Sequence, residues 1–196
     1  MCGRYYIEID DAEINDLILQ AEKEAKRTPI TQPPQLPFTG GEIFPGACVP
    51  VLTKDGPTFM KWGFPSLNPA RPALINARSE TAASLKTFAE SMESRRCLIP
   101  ATTYYEWQDV GKKRKLKYEF FLKERETFYM AAIFTPNYEF AILTKAATVQ
   151  FTPIHDRMPV VISPEYQQKW LEETANAMDA ALEDFSFTSN FPSLLI

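Results

Sequence analysis

Cys2 carries the most distinctive chemistry in the sequence, because it directly follows the starting methionine. Cytosolic aminopeptidases remove Met1 when the next side chain is small, so we expect the mature chain to begin with Cys2. It would then hold an α-amine, with a reference pKa of about 7.7 to 8.0, and a thiol, with a pKa of about 8.5, on adjacent carbons. Such a 1,2-aminothiol condenses with an aldehyde to a five-membered thiazolidine, which an internal cysteine cannot do. The alternative is that Cys2 is a small apolar residue packed at the start of the first strand.

Three further polar side chains could serve a site built around Cys2. In a regular strand Arg4 projects to the same side as Cys2, which places a guanidinium that can bind phosphate beside the nucleophile. Asn76 and Arg78 share one face if their segment is extended. They therefore offer an amide for orientation and a second guanidinium for a phosphate.

Glu106 and His155 are the candidates for proton transfer. Glu106 lies in the apolar run Tyr104–Trp107 and is either a charge on a hairpin face or a carboxyl with a raised pKa. His155 is the only histidine and stands next to Asp156 and Arg157, before a predicted strand. It is either a structural residue or a proton shuttle that works near neutral pH.

Cys2, Cys48, Cys97 and His155 are of types that bind zinc, but no two lie at the short cysteine spacing of zinc sites. We therefore expect no metal and no cofactor. The basic run Lys112–Lys115 falls on a predicted hairpin turn and is interpreted as a solvated tip.

Runs of aromatic and β-branched residues, separated by turn residues, predict strands along most of the chain. The predicted strands are Gly3–Ile9, Ala47–Thr53, Thr58–Trp62, Cys97–Ile99, Thr103–Gln108, Leu116–Lys123, Phe128–Phe134, Tyr138–Thr144 and Arg157–Ile162. Their short connections, such as Lys54-Asp55-Gly56, are typical of antiparallel hairpins.

Helices are predicted around these strands. Asp10 and Glu13 have the spacing of a capping box, and apolar residues then repeat at helical spacing to about Arg27. A second helix is predicted over Ser79–Ser94 with Ser79 as N-cap, and two late helices begin near Pro164 and Asn176.

Thr28–Gly46 contains five prolines and three glycines and is predicted to be a long loop, either ordered or a disordered flap. Together these elements predict an α+β fold. We expect one β-rich domain over residues 1–196, with an antiparallel, barrel-like centre and flanking helices.

Composition limits the classes of protein that this chain can belong to. The 196 residues are 45% hydrophobic and 23% charged, which suits one domain with a substantial core. The formal net charge of −4 gives no global positive field, so nucleic acid must bind a local patch. The apolar runs are too short to span a bilayer, and the N-terminus lacks the pattern of a signal peptide, so we expect no membrane partner and a cytoplasmic location.

Five groups of short segments occur in order along the chain. They are Met1–Tyr5, Trp62–Gly63, Leu74–Thr81, Cys97–Pro100 with Tyr105–Trp107, and Ile154–Pro159. Each is weak alone, but the combination resembles the SRAP family (SOS response-associated peptidase), whose members sense and crosslink abasic sites in single-stranded DNA. The resemblance extends over about residues 1–170.

The resemblance implies roles for four residues. Cys2, once exposed, would be the nucleophile that bonds to the ring-opened aldehyde of an abasic deoxyribose. Asn76 would orient the N-terminus or the sugar. Glu106 and His155 would handle the protons of ring opening, imine formation and reversal.

The resemblance also implies a surface for single-stranded DNA containing abasic sites, bound by a monomer. Arg4 and Arg78 would hold the phosphates that flank the lesion. Trp62 and Pro45 would contact the DNA, and Thr144 would line the site.

The sequence departs from the family pattern at several positions. Glu42 replaces an asparagine that usually precedes the loop proline, and Lys145 lies in a stretch that is usually uncharged. The aromatic residue commonly found a few positions after Gly63 is missing.

Two other functions fit the same residues. In a peptidase, Cys2 would attack a peptide carbonyl with His155 as base and Glu106 as the residue that orients it. A non-enzymatic single-strand binding module would use Arg4, Arg78 and nearby aromatic residues, and would bind intact and abasic strands equally well.

Overall fold

The computed structural model describes residues 2–26, 36–68, 70–111, 114–122, 127–172, 181–182 and 185–189, the last two segments by their backbone. The helices are α1 (Ala12–Ala25), α2 (Ser79–Ala82), α3 (Ala89–Ser94) and α4 (Pro164–Leu171). The strands are β1 (Tyr5–Ile7), β2 (Gly41–Ile43), β3 (Cys48–Thr53), β4 (Gly56–Trp62), β5 (Asn76–Arg78), β6 (Arg96–Ala101), β7 (Thr103–Asp109), β8 (Lys115–Leu122), β9 (Phe128–Phe134), β10 (Glu139–Ala146), β11 (Arg157–Pro159), β12 (Val161–Ile162), β13 (Ala181–Leu182) and β14 (Phe185–Ser189).

The strands form two sheets. The smaller sheet has the order β14-β8-β7-β1-β2, and the larger sheet has the order β11-β10-β4-β3-β6-β9-β12-β13, with β5 paired to β10. The pairings are antiparallel, as the short hairpin turns predict, except that β10 runs parallel to both β4 and β5. The predicted α+β class is confirmed as a β-rich domain with a few helices.

The predicted barrel-like centre is confirmed, although the sheets do not form one closed barrel. The larger sheet curls back on itself, because β10 pairs with β9 as well as with β4. It keeps β11 and β13 at its ends, and the smaller sheet is separate from it. The described strands therefore form two sheets packed together and not one closed barrel.

Alternation along the strands places the core between the sheets. Tyr5 of the smaller sheet packs against Trp62 of the larger one, with ring centroids 5.2 Å apart, and both are fully buried. Helix α1 contacts β3 and β4 and buries Ile14 and Ile18 at the predicted helical spacing.

Two predicted helix boundaries are wrong. The N-cap of α1 is Asp11 and not Asp10, because the Asp11 backbone is extended and its carboxylate accepts from the Ile14 amide at 3.0 Å. The helix predicted over Ser79–Ser94 is broken into α2 and α3. Ser79 does not cap it, since the Ser79 hydroxyl donates to the Thr144 carbonyl at 2.9 Å and thereby ties α2 to β10.

The loop predicted over Thr28–Gly46 is only partly correct. Residues 27–35 lie outside the described residues, but Gly41–Ile43 forms β2, which pairs with β1. The helix predicted from Pro164, with proline in the first turn, is confirmed as α4. The start of the helix predicted from Asn176 lies outside the described residues, and 181–182 is a strand.

Candidate functional site

Cys2 lies in the interior, between the two sheets. Its side chain is 0% exposed, its carbonyl accepts a hydrogen bond from the Asn76 side-chain nitrogen at 2.8 Å, and its thiol approaches the Arg4 carbonyl at 3.8 Å. Burial raises the pKa of the Cys2 thiol well above its usual range, and the negative charge of Glu106 raises it further. The thiol is therefore protonated at neutral pH.

Asn76 reaches Cys2 from β5, the short strand that pairs with β10 through Ile142. The indole nitrogen of Trp62 donates to the carbonyl of Ile75, the residue just before this strand, at 2.9 Å, and the Ile142 amide donates to the same carbonyl at 3.1 Å. The Asn76 side-chain oxygen is buried and has no hydrogen-bond partner among the residues described. This amide therefore offers an available acceptor beside Cys2.

Glu106 projects from the inner face of β7 and is 3% exposed. Burial raises its pKa to about 7, because a carboxylate loses hydration in the interior. Both forms of this carboxyl are therefore populated near neutral pH, which suits a group that takes up and returns a proton.

His155 lies in the connection between β10 and β11. Its Nδ1 accepts from the Arg157 amide at 3.0 Å and also lies 3.0 Å from an Asp156 carboxylate oxygen. One ring nitrogen cannot accept from the amide and donate to the carboxylate at once. Partial burial lowers the pKa of His155, so the neutral ring with Nδ1 as acceptor is favoured, which leaves Nε2 as a donor.

This connection is held to the rest of the site by two polar contacts. Gln108 of β7 donates to the Pro153 carbonyl at 2.9 Å. Arg157 makes a bidentate ion pair with Glu80 of α2, with both distances 2.7 Å, and donates to the Thr144 carbonyl at 2.6 Å. The Arg157–Glu80 pair thus joins the His155 segment to the helix that follows β5.

The outer face of the smaller sheet carries charged and aromatic side chains. The Arg4 guanidinium lies 4.2 Å from the Phe44 ring centroid and 5.0 Å from that of Trp107. Glu42 accepts from Arg4 at 3.3 Å and from Lys117 at 2.9 Å. Arg4 faces outward here while Tyr5 enters the core. The prediction that Arg4 projects to the same side as Cys2 is wrong, because regular strand geometry begins only at Tyr5 and Cys2 is buried in the core.

Comparison with known proteins agrees with this fold and identifies the family. The family model described as SOS response associated peptidase (SRAP) matches residues 1–191. The chain belongs to the SRAP family. The predicted family resemblance is therefore confirmed.

Relatives of this SRAP chain include proteins from several organisms. It is 29% identical over 194 residues to the abasic site processing protein YedK of Escherichia coli (strain K12), which covers 92% of this chain and 84% of the relative. It is 34% identical over 106 residues to the abasic site processing protein YoqW of Bacillus subtilis (strain 168), which covers 50% of this chain and 47% of the relative. The match thus spans about half the length of that Bacillus relative.

Solved structures share the fold of this SRAP chain. A crystal structure of a protein from Bacteroides thetaiotaomicron matches with a TM-score of 0.70 at 21% identity, covering 88% of this chain and 89% of the other. A phage-related protein from Bordetella bronchiseptica matches with a TM-score of 0.68 at 20% identity, covering 96% of this chain and 93% of the other. At these identities the likeness concerns the fold.

In the structure of this SRAP chain, the five residues predicted to contact DNA differ in their exposure to solvent. Pro45 and Arg78 are exposed, and Arg4 is partly exposed. Trp62 is fully buried and Thr144 is 1% exposed. Neither of the last two can contact DNA directly in this conformation, because the core packs around them, so that part of the sequence prediction needs correction.

Sequence reasoning missed several contacts of this SRAP site. It overlooked the Arg157–Glu80 pair and the pairing of Lys117 with Glu42. The only available signal was that Arg157 and Lys117 stand in predicted strands. Their partners were predicted in a helix and in a loop and lie more than 70 positions away in the sequence, so local patterns did not connect them.

The described part of this SRAP chain contains neither a candidate metal site nor a candidate membrane-spanning helix. It contains no group of three or more histidine, cysteine, aspartate or glutamate side chains that could hold a metal ion. None of its described helices is long and apolar enough to cross a membrane.

We expect Glu80→Gln to destabilise this SRAP chain at pH 7 by about 1 kcal/mol, a value reduced by solvent because Glu80 is 38% exposed. The hydrogen bond from Arg157 lowers the pKa of Glu80 from 4.5 to about 2. The stabilisation is therefore present above pH 4.5 and is lost as the pH falls toward 2. Urea unfolding at a series of pH values measures it.

The matched control is Glu90→Gln, which breaks a surface pair with Arg95 in which Glu90 is 80% exposed. It should change the free energy of unfolding by less than Glu80→Gln does. Equal stability of wild type and Glu80→Gln at pH 7 would contradict the stabilising role of the pair.

Proposed function

We propose that this protein processes abasic sites in single-stranded DNA by forming a covalent thiazolidine crosslink through Cys2 after Met1 is removed. The names of the E. coli and B. subtilis relatives support the substrate class. The observation that carries the proposal is that two side chains from other strands act on Cys2. The Asn76 amide holds its carbonyl, and the charge of the buried Glu106 carboxyl acts on its thiol.

The proposed condensation needs no oxidant or reductant. The Cys2 amine adds to the aldehyde carbon of the ring-opened deoxyribose, and the resulting carbinolamine loses water to give an imine. The thiol sulfur then bonds to the imine carbon, while the thiol proton moves to the nitrogen. One water molecule is released overall, and the step is an example of nucleophilic catalysis by the chain terminus.

The buried thiol sets the order of these steps. Because burial raises the pKa of the Cys2 thiol, little thiolate exists at neutral pH, and the amine acts as the first nucleophile. The sulfur closes the ring once the imine carbon is beside it. Removal of Met1 frees the Cys2 nitrogen for reaction.

The surrounding side chains fit the proton transfers of this scheme. The Asn76 nitrogen fixes the Cys2 carbonyl, and its oxygen, unpartnered among the described residues, can accept from the α-amine. Glu106, with a pKa of about 7, takes a proton from the amine and returns it to the departing hydroxyl. His155 exchanges protons with the sugar through Nε2.

The strand itself would follow the exposed residues near Cys2. Arg4 and Arg78 bind phosphates, since a guanidinium matches phosphate geometry. Pro45 and its exposed neighbour Phe44 border the path. Trp62 supports the path from below by holding the backbone next to Asn76.

Intact mass spectrometry tests the proposal directly. The purified protein should lack the mass of Met1. After incubation with an oligonucleotide that contains one abasic site, a new species should equal the sum of the two masses less one water. A chain that keeps Met1, or that gives no such species, would contradict the proposal.

The peptidase hypothesis makes a different prediction. A cysteine peptidase needs a thiolate paired with a base, whereas burial here keeps the Cys2 thiol protonated and Nδ1 of His155 accepts from the backbone. Turnover of an unstructured peptide in the absence of DNA would favour a peptidase. Equal affinity for intact and abasic strands, without an adduct, would favour a single-strand binding module.

A further inference from the structure

Two cations on the outer face of the smaller sheet share one carboxylate. Arg4 and Lys117, here called the cation pair, both donate to the same Glu42 oxygen, at 3.3 Å and 2.9 Å. The three residues come from β2, β8 and the segment just before β1. An oxygen held between a guanidinium and an ammonium marks a position where the protein stabilises negative charge.

Aromatic rings hold the cation pair in position independently of Glu42. The Arg4 guanidinium lies over the ring of Phe44 and over that of Trp107. The Lys117 nitrogen lies 3.6 Å from the centroid of the Tyr105 ring. Cation–π attraction therefore keeps both cations on this face when their carboxylate partner moves away.

The position is open to solvent and its anion is exchangeable. The side chains of Arg4, Glu42 and Lys117 are each about 30% exposed. Partial burial raises the pKa of Glu42, but its hydrogen bonds with Lys117 and Arg4 and their charges lower it by more, so Glu42 is an anion at neutral pH. Ion pairs this exposed are weak and can be replaced by another anion.

We propose that Arg4 and Lys117 together form a phosphate site for the DNA strand, and that Glu42 occupies this site in the free protein and leaves it when the strand binds. This inference rests on the proposed function and adds to it Lys117 as a phosphate ligand and Glu42 as an internal competitor. The competitor lowers affinity for every strand, whether or not it carries a lesion. Tight retention then depends on the covalent bond formed at Cys2.

Glu42→Gln tests the competitor. The probe is a fluorescein-labelled single strand with a central tetrahydrofuran, an abasic analogue without an aldehyde, so that only non-covalent binding is measured by anisotropy. At low salt we expect the variant to bind about three- to tenfold more tightly, because a charge that competes with phosphate is gone. Its plot of log affinity against log salt should also steepen by up to about 0.7, the contribution of one phosphate contact in a single strand.

Lys117→Gln in the Glu42→Gln background tests the phosphate ligand and should remove most of this gain. Glu90→Gln removes a carboxylate that pairs with an arginine elsewhere on the surface. Lys169→Gln removes a lysine that also lies over a tyrosine ring, that of Tyr166. Both control variants should bind the probe as the wild type does.

Several outcomes would overturn the inference. Binding by Glu42→Gln within twofold of wild type would show that the strand does not use the site. If the double variant keeps the full gain in affinity for the strand, Lys117 is not a phosphate ligand. Weaker binding together with a lower melting temperature would show that Glu42 braces β1 and β2. Adduct formation by the wild type on an aldehyde-containing strand, measured in parallel, reports separately on the proposed function.

Discussion

Cys2→Ser should lose the heat-stable adduct with abasic DNA completely while it keeps an imine that borohydride can trap. Serine is small enough for Met1 to be removed, so the variant retains the α-amine and can still form an imine with the aldehyde. Without sulfur it cannot close a thiazolidine. The measurement is denaturing electrophoresis after heating, with and without borohydride, on a labelled strand with one abasic site.

Cys48→Ser provides the matched control for this experiment. Cys48 is a partly buried cysteine at the start of β3, and it has no role in the proposed chemistry. Its serine variant should form the adduct as the wild type does. A heat-stable adduct from Cys2→Ser without borohydride would show that the sulfur of Cys2 is not the bonding atom.

Glu106→Gln should slow adduct formation by about 10²- to 10⁴-fold, the usual contribution of a positioned acid or base. Burial raises the pKa of Glu106 to about 7, so the wild type gains the basic form as the pH rises through that value. The ratio of wild-type to variant rate should therefore increase between about pH 6 and pH 8. Single-turnover rates at saturating DNA measure the chemical step apart from binding.

The control for Glu106→Gln is Glu119→Gln on β8. Glu119 pairs in register with Tyr105, so its side chain lies on the opposite face of the sheet from Glu106. A rate loss of equal size in both variants would point to a general effect of negative charge. A rate for Glu106→Gln within threefold of wild type would exclude the proposed proton transfer.

Glu106→Gln should raise the stability of the protein at high pH, although it lowers the rate of adduct formation. Because the folded pKa of Glu106 is about 7 and the unfolded value is 4.5, the folded state binds more protons between these values, and stability falls as the pH rises through this window. At pH 8 the buried charge costs about 3 kcal/mol by linkage, so Glu106→Gln should be more stable than wild type there. Urea unfolding that shows no pH-dependent difference would contradict the raised pKa.

The N-terminal helix and the central hairpin show what local sequence encodes well. Apolar spacing predicted that Ile14 and Ile18 are buried, and the turn Lys54-Asp55-Gly56 predicted the pairing of β3 with β4. These features depend on neighbours within a few positions, where periodicity and turn chemistry act directly. The N-cap was misplaced by one residue because Asp10 and Asp11 are both suitable caps and only backbone geometry selects between them.

Features that depend on distant partners were not predictable in the same way. The sequence singled out Trp62 as a DNA contact, but the two sheets meet around its ring and bury it. It treated Gly41–Ile43 as part of a loop, whereas pairing with β1 makes that segment a strand. In both cases many weak long-range contacts outweigh the local preference of the residues.

By itself the sequence determined which reactive groups exist and which of them share a strand face: a thiol directly after Met1 at Cys2, the Asn76 and Arg78 pair, and a carboxylate in an apolar strand at Glu106. Only the tertiary structure decided that Asn76 holds the Cys2 carbonyl, that Glu106 is buried deeply enough for a near-neutral pKa, and that Glu42 lies between Arg4 and Lys117. The physical reason is the distance along the chain over which each feature is determined. Alternation along a strand is fixed by the backbone over two residues, whereas the neighbours of each face are set by pairing between strands that are far apart in the chain.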